Sequence, residues 1–359
     1  MPKVTIQDVA REAGVALGTV SNALNHPDKV RPSTREAVER AMDKLGYTPN
    51  QSARLLAGGK NNVFGLVLPR LDHGFSLQIA NGAHNEAQRN GFDIVIANAG
   101  NDDILESRYM RFFMGMQMAG VMAQPMAGPG WRPAGRRSAV PTVYLDIHSD
   151  APGYFVAADN VAQGRLVAQH AIDTGAHRVA VVGRADFMQM SLRVEGVRDI
   201  AQHNPDVVFE FMDEGDWNLA RDGYKIGHGL ANRPRVERPD FVIALTDVLA
   251  IGVIAGLKSG RLSVPGDVRV AGCDGNPLAW TGSVPLTTVA PPGYEIGRKG
   301  VQNLIEQIEL AKLAEFTHEP LAPLENHQVL VRPFLLARQS TGAEVRRAAD
   351  PDLDLGSYL

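Results

Sequence analysis

Two kinds of hydrophobic spacing divide the chain near residue 60. Before that point, apolar residues recur at intervals of three and four, which is the spacing of short amphipathic helices. From Val63 onward, short apolar runs such as F-G-L-V-L (64–68) alternate with helical patterns. That alternation is typical of parallel sheets covered by helices on both faces. The pattern therefore predicts a small all-α head and a larger α/β body.

The head is predicted to begin with two short helices around a glycine turn. Thr5 and Asp8 have the spacing of a capping box, so the first helix should start at Ile6. Gly14 can adopt the positive φ of a tight turn, and a second helix is predicted over about 17–24. This arrangement is a helix-turn-helix, whose second helix enters the major groove of DNA.

A third helix is predicted to bury the apolar faces of the other two. Ser33 and Glu36 suggest a second capping box, and Gly46 suggests a C-cap. The alternative is a three-helix packing module without a role on DNA, because helix-turn-helix geometry also occurs in enzymes.

The stretch after this helix, Y-T-P-N-Q-S-A-R-L-L-A-G-G-K (47–60), favours the DNA-binding reading. From Val4 to Lys60 the chain resembles the lactose/galactose repressor family of bacterial transcription regulators, nearly position for position. The resemblance implies a hinge helix over 50–57 that forms on DNA. Two such helices, one per subunit of a homodimer, would lie in the minor groove, with Leu56 wedged into the central base step. An isolated helix of this length is too short to be stable in water.

The resemblance also assigns the residues that face palindromic operator DNA. They are Thr5, Leu17, Gly18, Thr19, Ser21, Asn22 and Asn25 in the head, and Asn50, Arg54 and Leu56 in the hinge segment. Three positions depart from the family pattern. Ala16 stands where a serine usually caps the second helix, Gly18 has no side chain to read a base, and Asn22 prefers the adenine edge. The operator half-site should therefore differ from those read by relatives with arginine at the position of Asn22.

Composition places the chain among soluble globular proteins. It has 359 residues, enough for two or three domains, and 44% of them are hydrophobic without a run long enough to span a bilayer. The first residues contain no apolar stretch typical of an export signal. The single cysteine, Cys273, fits a reducing cytoplasm, and no Cys/His spacing indicates a metal site. We therefore expect a cytoplasmic protein without membrane association.

The net charge of −4 conceals an asymmetry between the head and the body. Residues 1–60 carry nine Lys/Arg against six Asp/Glu, whereas the remainder carries 27 against 34. A modestly basic head on an acidic body suits a module that faces phosphates. No G-x-G-x-x-G or P-loop follows a strand, and no Ser/His/Asp order is present, so neither an enzyme nor a cofactor is indicated. The rival hypotheses are a solute-binding protein for transport and a nucleotide-dependent enzyme.

The body resembles the effector domain of the same family, which shares its fold with periplasmic sugar-binding proteins. The matching segments include R-V-E-G-V-R (193–198), T-D-V-L-A-I-G (246–252) and G-C-D-G-N-P-L-A (272–279). The resemblance implies two doubly wound parallel sheets in two lobes, with three crossovers near residues 160, 290 and 322. The expected division is 1–47 helix-turn-helix, 48–60 hinge, 61–160 with 290–322 first lobe, 161–289 with 323–338 second lobe, and 339–359 flexible tail.

A small-molecule effector is expected in the cleft between the lobes, at the carboxyl ends of the strands. Six positions match the cleft residues of the family: Phe75, Ser76, Arg193, Trp217, Asp247 and Asp274. Each also has a structural alternative. Phe75 could belong to the core, and Asp247 could cap the following helix. Arg193 could pair with Glu195 or Asp199 on a solvated helix face.

These residue types favour a neutral sugar as the effector. An arginine can donate to vicinal hydroxyls, aspartates can accept from them, and a tryptophan can stack on the C–H face of a sugar. A purine, nucleoside or phosphorylated effector is the alternative, because Arg70 stands at a strand end and could meet an anion. Asp72, His73 and Gln124 are further candidates at the mouth of the cleft. Whether the effector releases the repressor from DNA or tightens it is open.

Overall fold

The computed structural model describes residues 4–25, 29–48, 61–71, 74–125, 131, 133, 140–213, 218–276, 279 and 282–343. The chain divides into two compact units, residues 1–62 and residues 63–359. The first unit is the head and the second is the body.

The head contains the predicted helices α1 (Ile6–Ala13) and α2 (Leu17–Asn25). The Asp8 carboxylate accepts hydrogen bonds from the Thr5 backbone N–H at 2.9 Å and from the Thr5 hydroxyl at 2.7 Å. Gly14 ends α1 in the left-handed conformation, with φ of 67°. Both features were predicted, because capping boxes and C-terminal glycines act locally and do not depend on the rest of the fold.

Helix α3 (Pro32–Leu45) begins differently from the prediction. Its N-cap is Arg31 and its first residue is Pro32, so Ser33 lies inside the helix and does not cap it. Proline suits this position because its φ is already helical and its missing N–H would have no partner there. The α3 residues Val38 and Ala41 pack against residues of α1 and α2 in one small core, whose buried members are Val9, Ala10, Val20, Ala23, Val38 and Ala41.

The body contains two six-stranded sheets, as the alternating pattern predicts. The strands of the first sheet are β1 (Val63–Leu68), β2 (Asp93–Asn98), β3 (Gly120–Ala123), β4 (Thr142–Leu145), β5 (Gly153–Ala158) and β11 (Asn326–Val331), in the order β11-β5-β4-β3-β1-β2. Those of the second are β6 (Arg178–Val182), β7 (Val208–Met212), β8 (Phe241–Ala244), β9 (Arg269–Cys273), β10 (Thr287–Ala290) and β12 (Phe334–Leu336), in the order β12-β10-β9-β8-β6-β7. Every pairing is parallel except that of β12 with β10.

Helices cover both faces of each sheet. They are α4 (Gly74–Arg89), α5 (Asp103–Gly115), α6 (Asn160–Asp173), α7 (Met188–His203), α8 (Ala220–Ala231), α9 (Asp247–Ser259) and α10 (Gly293–Thr317). The pair α6 and α7 packs backbone against backbone through glycines. A Cβ at Gly164 would overlap the Arg193 carbonyl, and one at Gly196 would overlap the Val161 carbonyl. This close approach fixes the first turn of α6 against the centre of α7.

The sheets define two lobes, with one correction to the expected boundaries. Lobe 1 comprises residues 63–158 and 293–331, and lobe 2 comprises residues 160–290 and 334–341. The prediction that lobe 2 resumes at residue 323 was wrong, because β11 pairs with β5 in the first sheet. The third crossover therefore follows Val331. The strand pattern at 326–331 carries no information about which sheet it joins, and only the pairing partner decides it.

Residues 339–341, which the sequence analysis placed in a flexible tail, are bonded to lobe 2. The Ser340 hydroxyl donates to the Val270 carbonyl at 2.6 Å and accepts from the Thr287 N–H at 2.8 Å. Ser340 has no exposed surface, and Arg338 donates to the Leu286 carbonyl at 2.9 Å. Residues 338–341 thus supply hydrogen-bond partners to strands β9 and β10 and belong to lobe 2. Among the helices described, none is long and apolar enough to cross a bilayer.

Candidate functional site

Helix α2 presents an exposed face opposite its buried face. Val20 and Ala23 are buried, whereas Leu17 is 44% exposed and Gly18 and Asn22 are also exposed. This division is what a recognition helix requires, because one face must pack on the head and the other must reach base edges.

The remaining residues predicted to contact DNA are placed less uniformly. Thr5 is exposed, and Thr19 and Ser21 are half-buried. Asn25 is the last residue of α2. Asn50, Arg54 and Leu56 lie outside the described residues.

A backbone hydrogen bond closes the first turn of α2. The Thr19 N–H donates to the Ala16 carbonyl at 2.9 Å, which closes the first turn. An alanine offers no side-chain acceptor for the other free N–H groups of this turn, and a missing cap of this kind costs about 1 kcal/mol.

In lobe 1, polar side chains meet at the carboxyl ends of three neighbouring strands. Ser76 lies in the first turn of α4 after β1, Gln124 follows β3, and Asp146 follows β4. The Ser76 hydroxyl donates to the Gln124 side-chain oxygen at 2.9 Å, and both residues are buried. Asp146 adopts a positive φ of 58°, which is uncommon for a residue with a side chain and is often found at functional sites.

In lobe 2, Arg193 of α7 is held at the ends of β8 and β9. It is 5% exposed. Its Nη1 donates to the Leu245 carbonyl at 2.6 Å and to the Asp274 carboxylate at 3.0 Å, and its Nε donates to the Asn160 side-chain oxygen at 3.0 Å. Among the described residues none accepts from Nη2, so this group is the donor left for a ligand. The alternative of a solvated pair with Asp199 is wrong, because Asp199 pairs with Arg165.

Asp274 and Asp247 form a second layer behind the guanidinium. The second oxygen of Asp274 accepts from the Asp247 N–H at 3.3 Å. Asp247 has no exposed surface, and its two oxygens accept from the Thr288 hydroxyl at 2.7 Å and from the Asn276 N–H at 2.6 Å. Asp247 therefore braces Asp274 and the β9–β10 connection.

The two lobes touch through these strand ends. The Gln189 amide of α7 donates to the Asp146 carbonyl at 2.7 Å, and the Gln78 amide of α4 donates to the Gly275 carbonyl at 3.3 Å. The groups of lobe 1 and lobe 2 described above thus face the same cleft.

Burial raises the pKa values of two carboxyl groups in this cluster. Desolvation is the main cause for Asp146, whose pKa rises to about 7, although the Arg193 charge opposes the shift. Desolvation and the charge of Asp274 raise the pKa of Asp247 to about 7. For Arg193, burial is the largest single influence and lowers the pKa, but Asp274, Cys273 and Asp146 together outweigh it, so the pKa is raised. Among the described residues of this cluster, the permanent positive charge of Arg193 therefore lies beside carboxyl groups that keep their protons up to about neutral pH.

Not all of the predicted effector residues converge. Ser76, Arg193 and Asp274 lie in the cluster and Asp247 lies behind it, but Phe75 is 6% exposed and belongs to the apolar core of lobe 1 with Ile79. Trp217, Asp72 and His73 lie outside the described residues. Gln124, considered only at the mouth of the cleft, is bonded to Ser76 inside it.

Three residues of this cluster escaped the sequence analysis: Asp146, Asn160 and Gln189. Asp146 carried a usable signal, because it ends the run P-T-V-Y-L-D just as Asp274 ends V-A-G-C-D. Gln189 and Asn160 carried none, since only the packing of α6 and α7 against lobe 1 brings them to the cleft.

Comparison with known proteins agrees with this architecture. Residues 5–50 match the family described as bacterial regulatory proteins, lacI family, and residues 168–341 match the periplasmic binding protein-like domain. The ribose operon repressor of Bacillus subtilis (strain 168) is 31% identical over 315 residues, covering 87% of this chain and 94% of the relative. The transcriptional repressor PurR of Aliivibrio fischeri (strain ATCC 700601 / ES114) is 27% identical, covering 85% and 92%.

Solved structures show the same fold. The lac repressor dimer bound to operator and the anti-inducer ONPF superposes with a TM-score of 0.75 at 22% identity, covering 95% of this chain and 100% of that one. A complex of the transcriptional regulator CelR with cellobiose has a TM-score of 0.63 at 26% identity, covering 94% and 100%.

A helix-turn-helix head joined to a two-lobed binding body defines a DNA-binding transcriptional regulator. The chain belongs to the lacI family of bacterial regulatory proteins.

The raised pKa of Asp146 makes a prediction about the pH dependence of folding. The Asp146 carboxyl binds a proton more tightly in the folded chain than in the unfolded chain. Its contribution to the free energy of unfolding is therefore fully present below about pH 4 and is lost as the pH rises to about 7. Asp146→Asn should remove that loss, so the variant should gain stability relative to the parent as the pH rises from 4 to 7. Urea unfolding at several pH values measures the difference.

Asp150→Asn provides the matched control, because Asp150 is an exposed aspartate of the same loop. The gain of Asp146→Asn between pH 4 and 7 should exceed that of Asp150→Asn. Parallel pH profiles of Asp146→Asn and the parent would contradict the raised pKa.

Proposed function

We propose that this protein is a cytoplasmic homodimeric repressor of sugar-metabolism genes that binds a palindromic operator and is controlled by a carbohydrate in the cleft between its lobes. The observation that carries the proposal is a cluster of side chains at the carboxyl ends of strands from both lobes, formed by Arg193, Asp274, Asp146 and Ser76. The same chain also has a helix, α2, that would serve as the recognition helix. Effector binding and DNA binding are then linked as a coupling free energy.

The arrangement of charged groups in the cleft favours a neutral polyol as the effector. Arg193 is already neutralised by Asp274 at 3.0 Å, and Asp146 adds a further acceptor. Hydroxyl groups can donate to carboxylates and accept from the Nη2 group, so a sugar satisfies both. The names of similar proteins point the same way, since they include ribose operon repressors and a CelR–cellobiose complex.

A purine, nucleoside or phosphorylated effector is the second candidate, and the similarity to PurR favours it. The ion pair of Arg193 opposes an anionic ligand, because Asp274 already lies 3.0 Å from the guanidinium and a phosphate would have to share that cation with it. Phe75, the aromatic residue in the first turn of α4, is buried in the core and unavailable for stacking on a base.

On DNA, the exposed face of α2 would read bases in the major groove. Asn22 would accept from and donate to adenine, Leu17 would contact a thymine methyl group, and Thr5, Thr19, Ser21 and Asn25 would hold phosphates. Gly18 allows close approach without reading a base. Asn50, Arg54 and Leu56 are proposed to act in the minor groove as the hinge helix of each subunit.

A homodimer is supported by an exposed apolar patch on lobe 1. Val95 is 46% exposed on β2, the edge strand of the first sheet, and it shares a face with Ala97, which packs against the core that contains Phe113 of α5. On α5, Phe112 is 57% exposed and Met116 follows at 47%. Monomers rarely leave such residues in contact with water, whereas a second copy could cover them.

Selection from a library of palindromic duplexes tests the DNA-binding proposal. The parent should select an A·T pair at the position facing Asn22, and Asn22→Arg should change this preference to G·C because arginine pairs with the guanine edge. A discrimination of about tenfold corresponds to about 1.4 kcal/mol. Ser33→Arg is the control, since it adds the same charge on α3 and should change affinity without changing preference. No selection by the parent would contradict sequence-specific binding.

Calorimetry with D-ribose, D-glucose, cellobiose, hypoxanthine and D-ribose 5-phosphate tests the effector proposal. A neutral sugar should bind, and Arg193→Lys should weaken its binding about tenfold or more, because lysine cannot keep both the Asp274 bond and the ligand bond of a guanidinium. Arg165→Lys, on the exposed surface of α6, should have no effect. Binding of hypoxanthine or the phosphate with no response to neutral sugars would favour the second candidate.

Sedimentation of the Phe112→Lys variant tests the dimer. The charge would be buried in the proposed interface, so the variant should sediment as a monomer and lose most of its operator affinity. Val236→Lys is the control, because Val236 is 82% exposed in lobe 2. A monomeric parent, or a Phe112→Lys variant that remains dimeric, would contradict this interface.

A further inference from the structure

A chain of hydrogen bonds links a histidine of lobe 1 to Arg193. His148 lies between β4 and β5, and its Nε2 is 3.2 Å from the Asn160 side-chain nitrogen. Asn160 is the first residue of α6, directly after the first crossover, and it has no exposed surface. Its oxygen accepts from Arg193 Nε at 3.0 Å, and its nitrogen also donates to the Ala158 carbonyl at 3.2 Å.

The orientation of the Asn160 amide follows from its partners. An arginine side chain can only donate hydrogen bonds, so the group that faces Arg193 must be the amide oxygen. A backbone carbonyl can only accept, so the group that faces Ala158 must be the amide nitrogen. The same nitrogen faces His148, and the imidazole Nε2 must therefore carry a lone pair.

We propose that Asn160 is a positioning residue for Arg193, and that it keeps this role only while His148 is neutral with its proton on Nδ1. A charged imidazole has N–H groups at both nitrogens, so a donor would face a donor across 3.2 Å. Turning the amide over would not relieve this. It would place the nitrogen against Arg193 Nε and the oxygen against the Ala158 carbonyl, which creates two repulsive contacts in place of one.

Protonation of His148 therefore breaks a bond between the lobes and loosens one of the three acceptors that fix the guanidinium. The other two, the Leu245 carbonyl and Asp274, stay in place. Arg193 thus keeps its charge partner but loses the acceptor that orients its Nε edge. The Gly164 and Gly196 contacts hold the α6 backbone against α7, so the side-chain amide is the part that must yield.

The surroundings of His148 favour the neutral form. Burial lowers its pKa from the usual 6.5, while a hydrogen bond with the Ala158 backbone and the charge of Asp159 oppose the shift. Asp146 and Asp150 are the other charged groups of its own loop, and Arg193 and Asp274 lie beyond Asn160.

The imidazole nitrogens of His148 can be followed by NMR in the full chain, with the His148→Gln variant used to assign the signal. The expected result is an Nδ1-protonated ring that titrates below pH 6.5. Asn160→Asp should reverse the sign of the shift and raise the His148 pKa above 6.5, because a carboxylate accepts from a charged imidazole. An Nε2-protonated ring in the parent, or a His148 pKa that is the same in the parent and in Asn160→Asp, would overturn the proposal.

Unfolding by urea gives a second, independent measurement. A buried neutral histidine contributes stability that rises with pH between its folded pKa and 6.5. His148→Gln keeps an acceptor for Asn160 without a titrating ring, so the urea midpoint of the parent should fall relative to that of His148→Gln as the pH decreases from 7 to 5.5. Asp146 and Asp247 titrate in both proteins, so the difference between the two profiles reports His148. Equal slopes would overturn the proposal.

The consequence for effector binding rests on the proposed function. With D-ribose as the probe, affinity should fall severalfold between pH 7 and 5.5 in the parent relative to His148→Gln. If D-ribose does not bind at any pH, the effector assignment fails for this sugar, whereas the ring tautomer and the unfolding difference still decide the role of Asn160. If it binds with the same pH profile in both proteins, the positioning role is overturned.

Discussion

The arrangement of the body depends on one buried cation. A guanidinium that is 5% exposed is tolerable only if it is paired and hydrogen-bonded, because removing one partner of a buried ion pair costs about 3–5 kcal/mol. Arg193 meets this condition with acceptors from three separate segments: Asn160 at the first crossover, Leu245 after β8 and Asp274 after β9. The ends of these segments are therefore fixed relative to one another before any ligand arrives, which is the preorganisation that a binding site requires.

The contacts between the two lobes differ in kind from those inside lobe 2. Inside lobe 2, the strand ends are joined through a buried carboxyl group, Asp247, which has no exposed surface and accepts from the Thr288 hydroxyl at 2.7 Å. Between the lobes, amide side chains such as those of Gln189 and Gln78 make the contacts. Amide contacts at a boundary can be exchanged for ligand contacts at small cost, whereas the buried ionic layer cannot. A ligand that binds one arrangement of the lobes better than another can therefore shift their equilibrium without disturbing either core.

Predictions from sequence succeeded where the determining interaction is local. The Thr5–Asp8 box and the Gly14 turn involve residues close along the chain, and both are present. Prediction failed where the partner is remote. The segment that forms β11 was assigned to lobe 2, although it pairs with β5 of lobe 1. Asp247 matched a ligand-binding position by resemblance, and the structure adds two remote partners that the sequence did not indicate, because its oxygens accept from Thr288 and Asn276.

The sequence by itself determined the helix-turn-helix head, the class of the body and most of the strand ends that carry polar residues, because hydrophobic periodicity and capping are properties of short stretches. Only the tertiary structure decided which strand ends face each other, which carboxylates lie at the cleft and which are hydrogen-bonded inside the protein. It also joined Asn160 to both His148 and Arg193, which lie 12 and 33 residues away along the chain. The physical reason is that burial and hydrogen-bond partnership depend on distances in space, and spacing along the chain does not encode them once the contacts are long-range.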